Sequence, residues 1–354
     1  MPAKTFSILI TVLAALTVVG PQAAAQPATD LVLHFAHTDS DKSQQEIGTL
    51  IRTISDKDIT VNLAPGTLTV HGTADQLGLA QWLFVGLDRS TPVPADSAMH
   101  QFTLPDGSEN VVRLFYLDRG QTVQQFQELA TMVRTVIEIR RVFTYNDAKA
   151  IAFRGTADQM AMTDWMIGDI EKAAAGPRPH SVSRQYLLPS DPSDRRNENV
   201  TQIFYLANTP TVQDFQEVAT LMRTIAEIRR VFTYNTPRAI AVRGTADQLA
   251  FANWLFNELD QPTHGAQGHA SALYNFPDPS REGAGATRVF YLQHMATPQE
   301  FQQIATAIRT SAQIRRVFTW NEARGLALRG TLDQIELAEQ LLKDLDPADF
   351  PKGQ

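Results

Sequence analysis

The sequence predicts an α+β protein made of four tandem βαββα modules joined by Pro/Gly-rich linkers. Two observations predict this fold class. Three short motifs recur in the same order along the chain, and the segments between them alternate between strand-like and helix-like hydrophobic patterns. The chain has 354 residues, of which 43% are hydrophobic and 19% charged, so it is long enough for several modules and globular in composition.

The first residues are typical of a secretory signal. Lys4 precedes an apolar run over residues 6–19, which is short for a membrane span, and Ala23-Ala24-Ala25 forms a small-residue cleavage site. We expect residues 1–25 to be a signal peptide cleaved after Ala25 and the protein to be periplasmic; an uncleaved anchor is the alternative. We expect no membrane span after cleavage. The absence of cysteine excludes disulfides and a lipid-modified N-terminal cysteine.

Internal repetition defines the modules. Phe-Tyr-Leu occurs at residues 115–117, 204–206 and 290–292. The motif Ile-Arg-Arg-Val-Phe-Thr-Tyr-Asn occurs at 139–146 and 228–235, and recurs at 314–321 with Trp320 in place of the tyrosine. Arg-Gly-Thr-x-Asp-Gln occurs at 154–159, 243–248 and 329–334, and a divergent first copy keeps Gly-Thr-Ala-Asp-Gln at 72–76. We therefore predict modules at 31–88 (divergent), 98–172, 183–260 and 271–347.

The second module illustrates the predicted elements. A short aromatic strand at 113–117 is followed by a capping box at Thr122–Gln125 and by a helix with one apolar stripe. Residues 141–145 and 150–154 form a predicted β-hairpin around a polar turn. A second capping box at Thr156–Gln159 begins a helix that we expect to bury Met160, Trp165, Met166 and Ile170.

The linkers contain one further element each. Residues 101–105, 185–189 and 273–277 alternate in polarity and end in proline. Because proline cannot donate to a ladder, such segments suit the edge of a sheet. We predict that each pairs with the module that follows it.

This order of elements, with a hairpin ending in Arg-Gly-Thr and a helix closing on Leu-Asp, resembles the periplasmic N-domains of bacterial secretins. The resemblance covers residues 31–88, 112–171, 200–260 and 287–346. It implies a KH-like, ring-building fold whose modules line a vestibule below an outer-membrane pore. It therefore implies assembly and docking rather than chemistry. The sequence ends soon after Asp346, so we expect this chain to lack the secretin barrel and not to be the pore itself.

The recurring carboxylates are better explained by helix starts than by catalysis. Asp75, Asp158, Asp247 and Asp333 each lie in the first turn of a predicted second helix, where a carboxylate interacts favourably with the helix dipole. Four copies also suit structure better than one active site. His264 and His269 share a Gly-rich linker and are the weak candidates for adventitious metal binding. We expect no catalytic, cofactor-binding or metal site, and hence no enzyme.

Charge and motifs both lead us to expect no nucleic-acid partner. The formal net charge is −7, whereas a nucleic-acid-binding protein usually has a clear basic excess. The chain also lacks the Gly-x-x-Gly loop with which KH domains clamp a nucleic-acid backbone.

Strand alternation predicts which side chains point away from the helices. In the first module, Ile59 and Val61 are the apolar set, and Asp58, Thr60, Asn62 and His71 are the outward polar set. In the other modules the equivalent outward positions carry Arg and aromatic residues, a composition typical of interfaces. We call these residues the outward set: Arg141, Phe143, Tyr145 and Arg154; Arg230, Phe232, Tyr234 and Arg243; Arg316, Phe318, Trp320 and Arg329.

Three explanations of the outward set remain open. A linker strand or neighbouring module of the same chain covers it, a second copy or protein partner binds it, or it is exposed. The leading functional hypothesis is a non-catalytic periplasmic scaffold that self-assembles or docks to a secretion or pilus machine, with an outer-membrane secretin-type complex as one candidate partner. The alternative is a soluble periplasmic protein that binds a peptide, glycan or lipid between modules.

Overall fold

The computed structural model confirms four small α+β modules. It describes residues 28–56, 58–89, 100–116, 122–174, 180–189, 196–209, 211–261, 270–276, 285–294, 297–321 and 323–346. The predicted signal peptide, its cleavage site, His264 and His269 lie outside the described residues.

Each module contains the predicted strand, helix, hairpin and helix. Module 1 consists of β1 (Thr29–His34), α1 (Asp41–Ile54), β2 (Thr60–Ala64), β3 (Thr67–Gly72) and α2 (Ala74–Leu87). Module 2 consists of β4 (His100–Thr103), β5 (Val111–Tyr116), α3 (Val123–Met132) with a π-helical end (Val133–Ile137), β6 (Arg141–Tyr145), β7 (Ala150–Gly155) and α4 (Ala157–Ala174).

Modules 3 and 4 repeat this plan. Module 3 consists of β8 (Ser181–Val182), β9 (Tyr186–Leu187), β10 (Val200–Tyr205), α5 (Val212–Thr224), β11 (Arg230–Tyr234), β12 (Ala239–Gly244) and α6 (Ala246–Leu259). Module 4 consists of β13 (Tyr274–Asn275), β14 (Ala286–Tyr291), α7 (Pro298–Ser311), β15 (Arg316–Trp320), β16 (Gly325–Gly330) and α8 (Leu332–Leu345).

Each sheet is antiparallel, and the last strand of its hairpin lies in the middle. The order is β1-β3-β2 in module 1 and β4-β5-β7-β6 in module 2, and the other two modules follow the second pattern. The predicted linker strands are confirmed, because β4, β9 and β13 pair with β5, β10 and β14 of the module that follows. Each of these linker strands therefore belongs to the sheet downstream of it.

The predicted capping boxes are also confirmed. The Thr122 side chain accepts from Gln125 N, and the Gln125 side chain accepts from Thr122 N; Thr156 and Gln159 make the same exchange. The recurring aspartates lie in the first turns of the second helices. They are placed where a carboxylate favours the positive end of a helix dipole.

Two details differ from the sequence-based expectation. Thr60 pairs with His71 as Arg141 pairs with Arg154, so Thr60, not Asp58, is the counterpart of Arg141. The cause is a shorter turn in module 1, where only Pro65 and Gly66 separate the hairpin strands. The shift is two residues, so each side chain keeps its face of the sheet.

The second difference concerns the tryptophans of the second helices. Trp165 was expected among the residues buried by its own helix, but Trp165 and its counterpart Trp254 in module 3 are only half-buried. Each packs against an aromatic residue of the next linker strand: Trp165 against Tyr186 and Trp254 against Tyr274, with ring centroids 5.3 Å apart in both pairs. They therefore connect modules.

Candidate functional site

The outward set lies in three joints between consecutive modules. Each module core continues into the sheet of the next: Tyr145 belongs to the hydrophobic cluster of module 1, Tyr234 to that of module 2 and Trp320 to that of module 3. The cluster of module 4 contains residues of that module only, within the described ranges. Of the three explanations left open by the sequence, the structure shows coverage by the neighbouring module of the same chain.

Two surfaces meet at each joint. We call the surface of a module's two helices that contacts the next module the helix joint face. We call the outward surface of the next sheet the sheet joint face. The packed elements are the first helix and the edge strand of the next hairpin: α1 with β6, α3 with β11, and α5 with β15.

Aromatic side chains fill the centre of the sheet joint face. Tyr145 is 3% exposed, Tyr234 1% and Trp320 1%. The phenylalanines two residues earlier, Phe143 and Phe232, are half-buried against the cluster of the preceding module, as is Phe318. Burial raises the pKa of the Tyr145 and Tyr234 hydroxyls, so both stay protonated at neutral pH.

An acidic residue at the end of each first helix binds the two arginines of the sheet joint face. In the first joint, Asp56 Oδ1 lies 2.9 Å from Arg141 Nη1 and 3.2 Å from Arg154 Nη2. Arg154 is 6% exposed, and its Nη1 also donates to the backbone oxygen of Ile54 at 3.2 Å. Burial raises the pKa of Asp56, but the hydrogen bond from Arg141 and the charges of both arginines outweigh it, so the pKa is lowered.

The other two joints also pair an acid with two arginines. In the second, Glu138 Oε1 lies 2.8 Å from Arg230 Nη2, and Glu138 Oε2 lies 4.0 Å from Arg243 Nη1. In the third, Glu227 pairs with Arg316 and, at 3.3 Å, with Arg329 Nη1. Arg329 Nη1 also donates to the backbone oxygen of Ile225 at 2.6 Å. An acid thus pairs with two arginines in all three joints, and in the first and third joints one of these arginines also binds a backbone oxygen at the end of the helix.

In the second and third joints, a second acidic residue accepts hydrogen bonds from the hairpin turn of the next module. Glu128 accepts hydrogen bonds from Asn235 N at 3.1 Å and from Asn235 Nδ2 at 2.6 Å. Glu217 accepts the equivalent pair from Asn321, at 3.1 and 3.3 Å. In the first joint the turn is bound differently, by a hydrogen bond between Ser43 and Asp147.

The second helices bind the first strand of the next module through a tyrosine hydroxyl. Tyr116 donates to the Gly86 backbone oxygen, Tyr205 to Asp169 Oδ2 at 2.6 Å and Tyr291 to the Glu258 backbone oxygen at 3.1 Å. Burial raises the pKa of Tyr116 to about 12, offset in part by the charge of Arg89. The tyrosine on the first strand of modules 2, 3 and 4 is therefore part of a joint, because it lies in the hydrophobic cluster of the preceding module.

The sequence interpretation identified the arginines and aromatic residues but missed the acidic residues that bind them. Aligning the modules by their first helices gives Asp56, Glu138, Glu227 and Gln313 at one position. A second position gives Glu46, Glu128, Glu217 and Gln303. The signal was present in the repeats, because an acid occurs in each module that is followed by an Arg-bearing sheet.

Metal-ligand clusters, membrane-spanning helices and grooves were sought among the described residues. Within them, no three His, Cys, Asp or Glu side chains cluster as metal ligands would. None of the helices in the described ranges combines the length and apolar character of a membrane span. An open groove of about 600 Å³ lies beside module 3 and is lined by charged and polar side chains such as Arg223, Glu227 and Arg229.

Comparison with known proteins gives weak similarity to secretins. No family profile and no curated protein matches the sequence. Among solved structures, the chain is similar to Aeromonas hydrophila ExeD, with 12% identity, 67% of this chain and 42% of that chain covered, and a TM-score of 0.16.

Two further structures give similar values. For the type II secretion system secretin GspD of E. coli K12, identity is 9%, coverage is 67% and 39%, and the TM-score is 0.16. For the ETEC pilotin–secretin AspS–GspD complex, identity is 13%, coverage is 68% and 38%, and the TM-score is 0.16. The chain spans well under half the length of each of these chains.

Proposed function

We propose that this protein is a non-catalytic periplasmic scaffold of secretin N-domain type, which self-assembles or docks to a secretion or pilus machine of the envelope. One observation carries the proposal. The side chains that recur in modules 2 to 4 are used for helix caps, for module cores and for the three joints. An array that presents several similar sides to its surroundings requires its joints to repeat. It does not require a reactive group to repeat.

The outward set supports a structural role in this proposal. Its arginines and aromatic residues are bound by the preceding module, so we assign them to holding the array together. The surfaces offered to a partner are then the sides of the modules. Arg140, Arg229 and Arg315 are exposed, equivalent residues immediately before the edge strands. Because arginine is enriched at protein interfaces, these three positions are suitable probes of a lateral contact.

The test is a pull-down and a mass measurement on the mature chain, residues 26–354. A scaffold should form a defined oligomer by light scattering, or retain a stable protein partner from envelope extract in fixed ratio. We expect Arg140→Glu, Arg229→Glu and Arg315→Glu together to weaken that contact at least tenfold. Lys42→Glu, Lys172→Glu and Arg184→Glu form a charge-matched control, since all three residues are exposed.

The contrary result is equally specific. A chain that stays monomeric, retains no protein from the extract and instead carries a bound peptide, glycan or lipid detectable by mass spectrometry is a ligand-binding protein. If the wild type assembles and the triple variant at Arg140, Arg229 and Arg315 behaves like its charge-matched control, the contact lies elsewhere on the array.

A further inference from the structure

The two ends of the array differ from its joints in a correlated way. A helix joint face that binds a following sheet carries two acids and a tryptophan. A sheet joint face that follows another module carries two arginines and aromatic residues. Module 4 presents a helix joint face at one end of the array, and module 1 presents a sheet joint face at the other. Both end faces lack the joint residues.

The helix joint face of module 4 has lost its charges and most of its bulk. Gln303 replaces Glu128 and Glu217, and Gln313 replaces Glu138 and Glu227. Three further joint positions become polar or small: Ala307 in place of Met132 and Leu221, Ser311 in place of Val136 and Ile225, and Gln340 in place of Trp165 and Trp254. All but the half-buried Ala307 are exposed. Leu337 and Leu345, 41% and 44% exposed, are what remains of the apolar surface.

The sheet joint face of module 1 likewise lacks the arginines and aromatic residues of the joints. Thr60 and His71 replace the arginine pair, and Asn62 and Ala64 replace the phenylalanine and tyrosine. On the first strand, His34 takes the place of Tyr116 and Asp30 that of Val112. His71 Nδ1 lies 2.7 Å from Asp30 Oδ1 within the same sheet. The face is largely exposed and mostly polar, and Val32, in the position of Leu114, is an exposed apolar residue on it.

Placing one end against the other would make a poor joint. Gln313 would meet Thr60 and His71, so the carboxylate with two guanidinium partners is absent. The tyrosine that donates to the second helix is absent as well. Polar outer faces on terminal repeats keep a repeat array soluble by preventing further stacking.

We propose that neither end face of the array binds the opposite end face of another copy of this chain. The acid–arginine pairs select which helix joint face binds which sheet joint face, and the two end faces do not bind each other. Copies of this chain therefore do not add head to tail, and any self-assembly uses the sides of the modules. This inference does not rest on the scaffold function, because it concerns only the ends.

Cross-linking between introduced cysteines tests this proposal directly, because the chain itself contains no cysteine. A Gln313→Cys chain is mixed with a Thr60→Cys chain and treated with a short bis-maleimide. We expect no more cross-linked dimer than from a mixture of Gln313→Cys and Lys172→Cys chains. A positive control is one chain carrying Glu138→Cys and Arg230→Cys, which should link internally. End-to-end dimer several-fold above the Lys172 control overturns the proposal.

A graft of the missing joint residues tests whether their absence prevents the two end faces from binding each other. Module 4 receives Gln303→Glu, Ala307→Leu, Ser311→Ile, Gln313→Glu and Gln340→Trp. Module 1 receives Thr60→Arg, Asn62→Phe, Ala64→Tyr and His71→Arg. A chain with both grafts should form oligomers whose mass rises with concentration, whereas each single graft should keep the wild-type mass. Mixing the two single-graft chains should give heterodimers.

The graft result also has a contrary form. A doubly grafted chain with wild-type circular dichroism and unchanged mass over a hundredfold concentration range shows that the joint residues do not select the contact. The mixture of single grafts guards against a folding failure, because module 4 of one chain and module 1 of the other are altered separately. Should either graft unfold, the cross-linking comparison decides on end faces that carry only one substitution each.

Discussion

An arginine with little solvent exposure makes several contacts at each joint. Arg154 donates to Glu109 O at 2.8 Å within its own module and to Ile54 O at 3.2 Å in the preceding one, and it pairs with Asp56. The planar guanidinium can satisfy three acceptors in different directions, which a lysine ammonium on a flexible chain cannot reproduce. This explains why each of modules 2 to 4 has arginine at this position.

Replacing this arginine should weaken the protein even when charge is kept. We expect Arg154→Lys to lower the free energy of unfolding by about 1–3 kcal/mol, because buried acceptors lose their donors. Arg140→Lys, at an exposed position, should change it by less than about 0.5 kcal/mol. Urea denaturation of both variants provides the comparison, and equal midpoints would show that the Arg154 contacts contribute no net stability.

The acid of the first joint makes that joint sensitive to low pH. The pKa of Asp56 is lowered in the folded protein by its arginines, so its contribution to stability is complete above the unfolded pKa of about 4. It is lost as the pH falls through the lower, folded pKa. Asp56→Asn cannot titrate and lacks this contribution at every pH.

The stability difference between wild type and Asp56→Asn is the quantity to measure. It should be largest near pH 6 and shrink steadily below about pH 4. Thermal or urea unfolding at pH 6, 4 and 3 gives the curve. A difference that is constant across these pH values would mean that Asp56 is not held ionised by the joint.

At the scale of elements, the contacts of the acids at the helix ends offset an unfavourable backbone conformation. Glu138, Glu227 and Gln313 all have positive φ, at 66°, 55° and 54°, in the left-handed region that favours glycine. The carboxylates of Glu138 and Glu227 bind arginines of the next module, which offsets the strain. Gln313 has the same backbone without such ion pairs.

Glycine should therefore have opposite effects at equivalent helix ends. We expect Gln313→Gly to raise the free energy of unfolding by up to about 1 kcal/mol, since it relieves the left-handed conformation. Glu227→Gly relieves the same strain but removes the partner of Arg316 and Arg329, so it should lower stability. Urea denaturation distinguishes them; stabilisation by both substitutions would show that the third joint gains nothing from Glu227.

At the scale of the whole molecule, the modules are coupled through shared cores. Tyr145, Tyr234 and Trp320 are buried by the module before their own, so unfolding one module exposes the core of its neighbour. Small modules of this size are marginally stable alone, and nearest-neighbour contacts supply the rest of the stability in a repeat array.

Weakening one joint should divide the array into two cooperative units. Glu128→Gln with Glu138→Gln copies the residues of module 4 into the second joint. We expect calorimetric unfolding to broaden or split into two transitions, with a loss of about 1–3 kcal/mol. Glu336→Gln with Asp344→Asn, at exposed positions of α8, is the matched control. A single, unchanged transition in the joint variant would show that apolar packing alone couples modules 2 and 3.

The sequence by itself determined the order of elements in the repeats, their helix caps, the linker strands and which strand side chains point away from the helices. These features depend on neighbours along the chain: a Thr and a Gln three residues apart make a cap, and alternation within one strand defines its two faces. Even the two-residue error in aligning module 1 left every side chain on the expected face, because the strand period is also two.

Only the tertiary structure decided what covers the outward set and which acid binds which arginine. Asp56 and Arg141 lie 85 residues apart, in different modules, and no local pattern relates them. A linker strand, the preceding module or a second copy could each have buried the same face, since all would remove the same aromatic surface from water. The choice among them depends on how one folded module fits the next, which is a property of assembled surfaces rather than of any single segment.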